Sequence, residues 1–110
     1  MVISASNHNY RYECEKICRL FFPADKILFV TDEEDIPADS RTVITEIKEA
    51  DDAVHFSCRA CLDGKEASYS FYVPPFQCEG DSLRERLLAK AMVKVLKELT
   101  GINPPWGILT

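Results

Sequence analysis

Five cysteines are the residues of this chain with the most chemistry within reach, and their spacing first suggests a metal. Cys14 and Cys18 are separated by three residues and Cys58 and Cys61 by two, so four thiolates could gather round a tetrahedral zinc ion. The local pattern argues otherwise. Cys14 and Cys18 fall on the apolar stripe of an expected helix, where thiols pack as small hydrophobes. Cys58 and Cys61 stand an odd step apart in an expected strand, so their side chains leave opposite faces. A radical-type iron–sulfur site needs three thiolates in one short run, and here the two spacings lie on different elements. A thiol activated by histidine fares no better. His55 is expected on the outer face of a sheet beside Tyr72 and Lys48, with Cys58 pointing inward, and His8 has no obvious thiol partner.

The remaining groups are less specific. Asp32, Glu33, Glu34, Asp35 and Asp39 crowd one stretch without the regular oxygen spacing and glycine of a calcium loop, so they read as a solvated connection. The glycines, at 64, 80, 101 and 107, are too scattered to cradle a phosphate. A net charge of −5 speaks against nucleic acid as the partner. No apolar run reaches the roughly 18 residues of a membrane span. The stretch from Met1 to Glu13 shows no basic end, apolar run and cleavage site, and the cysteine count is odd. A disulfide framework is therefore not expected, and the cytoplasm is the expected location. On these grounds no catalytic, cofactor-binding or metal-binding residue is assigned within the chain.

Positioning any of these groups requires a sheet. Asp63-Gly64 separates two alternating runs and predicts a two-residue hairpin turn. Taking Leu62 opposite Lys65 as the closing pair sets Ala60 against Ala67, Cys58 against Tyr69, Phe56 against Phe71 and Val54 against Val73, all on one face. A slip by one residue would drive this apolar set into water. Around Asp51-Asp52 the same test places Ala50 opposite Ala53, Ile47 against Phe56, Thr45 against Cys58 and Val43 against Ala60. Residues 41–73 thus form a three-strand meander with one dry face. Met1 to Ala5 and Lys26 to Thr31 supply two further candidate strands, whose places in the sheet the pattern leaves open.

Two helices must cover the dry face. One spans about residues 9–22, capped by Asn7 or Asn9 and stopped by Pro23. Its stripe is Tyr10, Cys14, Ile17, Cys18 and Phe21. The other spans 82–100, with Ser82 and Glu85 as a capping box and Gly101 as its terminator. Leu83, Leu87, Leu88, Ala91, Met92, Val95, Leu96 and Leu99 form its stripe. The fold class expected is α+β: a two-layer sandwich of a mostly antiparallel sheet and two helices, in the order strand, helix, four strands, helix. Arg84, Arg86, Lys90, Lys94 and Lys97 make the second helix basic on its open face. That face is the candidate docking surface if the chain is a stand-alone interaction domain.

The tail is unusual for its polarity. After Gly101 comes Ile102-Asn103-Pro104-Pro105-Trp106-Gly107-Ile108-Leu109-Thr110, whose Trp106, Ile108 and Leu109 call for a surface to bury into. With the helix end Leu99-Thr100-Gly101, this run resembles the junction in oxygen-independent coproporphyrinogen III oxidase-like proteins, most of all the coproporphyrinogen dehydrogenase HemZ branch. There a leucine-threonine-glycine helix end leads into a proline-tryptophan-glycine-x-leucine-threonine run. Gly101, Pro104, Pro105, Trp106, Gly107, Leu109 and Thr110 carry the likeness, which is specific over roughly the last thirty residues and loose before them. The resemblance implies that residues 1–101 are an N-terminal accessory domain and that 102–110 begin a linker into a C-terminal radical S-adenosylmethionine barrel. The parent protein would hold a [4Fe–4S] cluster and S-adenosylmethionine, act on a porphyrin and oxidatively decarboxylate propionate side chains. This chain would hold neither group itself, and its main partner would be that barrel.

Overall fold

A computed structural model describes residues 1–5, 10–31, 34, 36 and 41–102. The chain runs β1 (Val2–Ala5), α1 (Arg11–Phe21), β2 (Leu28–Val30), β3 (Thr42–Glu49), β4 (Val54–Leu62), β5 (Lys65–Val73) and α2 (Asp81–Thr100), with a short 3-10 turn at Pro75–Gln77 before α2. The fold is α+β: one mostly antiparallel five-stranded sheet in the order β2-β1-β3-β4-β5, with two helices packed on it.

The hairpin registers follow the hydrophobic pattern residue for residue. Leu62 pairs with Lys65, Phe56 with Phe71 and Val54 with Val73; across the other turn Ile47 pairs with Phe56 and Val43 with Ala60. Asp63 and Gly64 both have positive φ, 52° and 82°, as a type I′ turn requires. Phe56 is fully buried and stacks on Phe71 at 5.5 Å between ring centroids.

The two strands whose places were open join in parallel. β1 lies between β2 and β3 and runs parallel to both, Val2 opposite Leu28 on one side and Thr42 on the other. Parallel neighbours need a crossover, and α1 is that crossover from β1 to β2. The single dry face expected for the sheet therefore holds for the meander but not for β1. All four β1 residues, Val2, Ile3, Ser4 and Ala5, are buried, as is usual for a strand flanked by parallel partners.

α2 covers β4 and β5, and α1 lies beside α2 and against β1. The lengths agree: twenty helical residues and nine strand residues each span about 30 Å. Cys14, Ile17, Cys18 and Phe21 are the buried stripe of α1, and Leu88, Ala91, Met92, Val95 and Leu96 that of α2. α1 closes where the N–H of Phe22 donates to the Cys18 carbonyl, just before Pro23. Its described cap position is Tyr10; Asn7 and Asn9 lie outside the described residues.

The start of α2 corrects the expected capping box. The helix begins one residue early, at Asp81, and Gly80 occupies the cap position with φ 89°. Glycine has no side chain to cap with, and Ser82 is already inside the first turn. Asp81 supplies the negative charge that suits a helix N-terminus, and its Oδ1 accepts the Tyr10 hydroxyl at 3.1 Å.

A cationic anchor holds the opposite end of the sheet. Arg41, just before β3, pairs with Asp25 at 2.6 Å, and its guanidinium lies 4.5 Å above the Phe22 ring. It ties the exit of α1 to the start of the meander.

Two substitutions test this framework by urea unfolding. Phe56→Ala is expected to cost about 3–5 kcal/mol through lost burial and a residual cavity. Gly64→Ala is expected to cost about 1–2 kcal/mol, because alanine resists a left-handed φ. An unchanged midpoint for either would refute the role given to that residue.

Candidate functional site

The residues with chemical potential are divided between the two faces of the sheet. On the inner side Cys14, Cys18 and Cys58 meet in the core, from two positions on α1 and one on β4. Cys14 Sγ lies 3.6 Å from Thr45 Oγ1, which in turn donates to the Ser4 carbonyl at 3.5 Å. Burial pushes the Cys14 thiol up to about 11 and Cys58 up to about 12, and it raises Cys18 too, with Cys14 and Cys58 adding to that rise. These thiols stay protonated near neutral pH, which suits packing and not attack or metal ligation. Cys61 is set apart from them. It pairs with Glu66 on the outer face, one residue out of phase with Cys58 and Ala60. Among the described residues no three His, Cys, Asp or Glu side chains gather as metal ligands.

Outside, β3, β4 and β5 form a shallow groove of about 240 Å³ of mixed lining, in which Ile44 and Tyr69 stand beside Glu46, His55, Ser57 and Arg59. His55 stacks on the exposed Tyr72 at 4.5 Å, and Lys48 bonds Glu46 at 3.0 Å. The sheet separates His55 from the buried thiols, so the two cannot act as a base and nucleophile pair. The groove can offer hydrogen bonds and a guanidinium to a polar ligand. It has no activated nucleophile. His8 and Asp32, Glu33, Asp35 and Asp39 lie outside the described residues.

The five basic residues of α2 do not form one uniform surface. Arg84 is turned toward the sheet end, where it pairs with Glu49 and donates to the Cys78 carbonyl at 3.1 Å. Its charge is held by that contact: the hydrogen bond it donates to Glu49 raises its pKa. Lys94 Nζ sits 4.4 Å above the Tyr69 ring. Arg86 and Lys90 are exposed, and Lys97 is half-buried. Only part of the candidate docking face is thus presented outward as charge. Sequence spacing shows which residues share a helix face but not which of them a neighbouring strand will recruit, and so the roles of Arg41, Arg84 and the Tyr10–Asp81 pair were missed.

The junction is described only at its start. Gly101 ends α2 at φ 72° with its N–H donating to the Lys97 carbonyl at 2.8 Å. Ile102 then donates its N–H to Thr100 Oγ1 at 3.1 Å and leaves its side chain exposed. Pro104, Pro105, Trp106, Gly107, Leu109 and Thr110 lie outside the described residues.

Comparison with known proteins adds no identification: no family model, no curated protein and no solved structure matches the chain. Among the described residues no helix is long and apolar enough to cross a membrane.

Two measurements check the assignment of the thiols. A thiol reagent under native conditions is expected to modify half-buried Cys61 first, with Cys14, Cys18, Cys58 and Cys78 reacting only on unfolding. The raised thiols also fix a pH dependence. Their folded values exceed the unfolded value of 9.0, so the folded state retains protons that the unfolded state sheds. Stability is therefore expected to be fully present below about pH 9 and to fall progressively toward pH 11–12. Rising stability over that range would contradict the assignment.

Proposed function

We propose that this chain is the non-catalytic N-terminal domain of a protein similar to the oxygen-independent coproporphyrinogen III oxidases, with a radical S-adenosylmethionine barrel following Thr110. The observation that carries the reading is the run from Leu99 to Thr110, Leu-Thr-Gly-Ile-Asn-Pro-Pro-Trp-Gly-Ile-Leu-Thr, which resembles the family's junction in residue type and order. The left-handed Gly101 at the end of α2 is compatible with it, since it stops the helix where the linker would begin.

The cysteines of this chain do not suit the cluster that such an enzyme uses. A radical-type cluster is wrapped by three thiolates of one loop, whereas Cys14, Cys18 and Cys58 are buried on two elements and Cys61 faces the other way. On this reading the [4Fe–4S] cluster, S-adenosylmethionine and the porphyrin belong to the barrel, and no catalytic step is assigned to residues 1–102. The part left to this domain is to pack on that barrel, in a protein of the cytoplasm. The competing reading, a self-sufficient domain that docks a partner through α2, draws less support, because Arg84 and Lys94 are already engaged within the fold.

Anaerobic incubation of the chain with iron and sulfide is expected to leave no stoichiometric cluster. A cluster absorbance that Cys→Ser substitution abolishes would overturn the proposal. The coding sequence past Thr110 is expected to reach a three-cysteine run, and a stop codon there would sink the reading outright.

A further inference from the structure

The two edges of the sheet are unlike. β2 is three residues long, too short to template another strand, and short edges are a common protection against unwanted pairing. β5 is nine residues long and pairs with β4 without a bulge from Lys65 to Val73. It carries no proline, and from Ala67 to Val73 no charge. This edge lacks the usual protection.

The turn decides which backbone groups that edge presents. Across the type I′ turn, Leu62 and Lys65 form the hydrogen-bonded closing pair. Counting on by twos, Ala67, Tyr69, Phe71 and Val73 also bond inward to β4. Glu66, Ser68, Ser70 and Tyr72 therefore turn their N–H and C=O groups to the open side.

We propose that β5 pairs antiparallel with β5 of a second copy, about a two-fold axis at Tyr69, joining the two sheets into one. In this register Ser68 lies opposite Ser70 of the second copy, and Glu66 opposite Tyr72 of the second copy. These are the residues whose backbone groups are free to bond. On the inner face Ala67 meets Phe71 of the second copy, small against large, Tyr69 meets its own counterpart, and Lys65 meets Val73 of the second copy. No like charges are opposed along the strand. Moving the axis to Ser70 would set Glu66 against Pro74, which has no N–H, and moving it to Ser68 would set Tyr72 against Gly64 in the turn. Only the axis at Tyr69 uses the whole strand.

The helix layer fits the same axis. Lys90, Lys94 and Glu98 are exposed at successive steps of four on α2, and Lys94 lies over Tyr69, hence beside the axis. α2 runs antiparallel to β5, so the two α2 helices would also run antiparallel. Lys90 then approaches Glu98 of the second copy, about 6 Å along the helix on either side of Lys94. The two Lys94 ammonium groups face each other, each over its own tyrosine ring, which moderates their repulsion.

The proposal does not depend on the porphyrin-enzyme reading, and its failure would leave that reading standing. Sedimentation of the chain is expected to give twice its 12.5 kDa mass. Ser70→Pro removes an outward N–H without touching a bond to β4, so it is expected to yield a monomer with unchanged far-ultraviolet dichroism. Lys90→Glu is expected to weaken the dimer about tenfold, and adding Glu98→Lys to restore it, because the swap reinstates the pair across the axis. A wild-type chain that stays monomeric at about 200 µM would overturn the proposal. So would a dimer that survives both Ser70→Pro and Lys90→Glu unchanged, since its interface would lie elsewhere.

Discussion

The inner face of the meander can be kept dry in only one register, and most of the molecule is arranged around that constraint. Val54, Phe56, Cys58 and Ala60 point the same way along β4, and the neighbours paired with them do so too. A one-residue slip in either hairpin would expose a whole row, at about 1.5–3 kcal/mol for each large side chain. α2 then has to be long enough to cover two strands from end to end, and its length matches theirs. α1 fills the space that α2 leaves. The thiols follow the same pattern, because Cys14 and Cys18 on α1 and Cys58 on β4 are buried in the core that this face closes.

The same constraint separates the chemistry of the two faces. A strand sends alternate residues to opposite sides, so the thiols and His55 cannot meet however close they stand in sequence. The inner side is occupied by packing. The outer side is shallow and of mixed lining, with side chains that bond one another or stack, as Lys48 with Glu46 and His55 with Tyr72.

Much of this was legible in the chain because alternation and turn chemistry are local. Asp63-Gly64 declares its turn, and Phe56, Cys58 and Ala60 declare their face, with no knowledge of the rest of the fold. The opposite faces of Cys58 and Cys61 follow from counting. What could not be read depends on long-range partners. The parallel placing of β1 rests on its neighbours β2 and β3, and four residues of Val-Ile-Ser-Ala carry no periodicity to announce them. Asp81 took the helix start from Ser82 because Gly80 turns the chain earlier, a backbone matter that side-chain types alone disguise. Arg41 and Arg84 read as surface charges, yet both reach across to other elements, toward Asp25 and Glu49.

The interior position of β1, between β2 and β3, also bears on the order in which the molecule assembles. The meander and α2 bring together stretches that follow one another in the chain, so closing their loops costs little entropy. β1 pairs with β3 across about 40 residues, Val2 to Thr42, and must enter between two strands at once. β1 thus has no complete seat until β3, at Thr42–Glu49, has formed. Until β1 docks, the inner face near Val43 lacks its neighbour. This long-range strand joins late, and during that interval the unpaired flank of β3 is open to unintended strand partners.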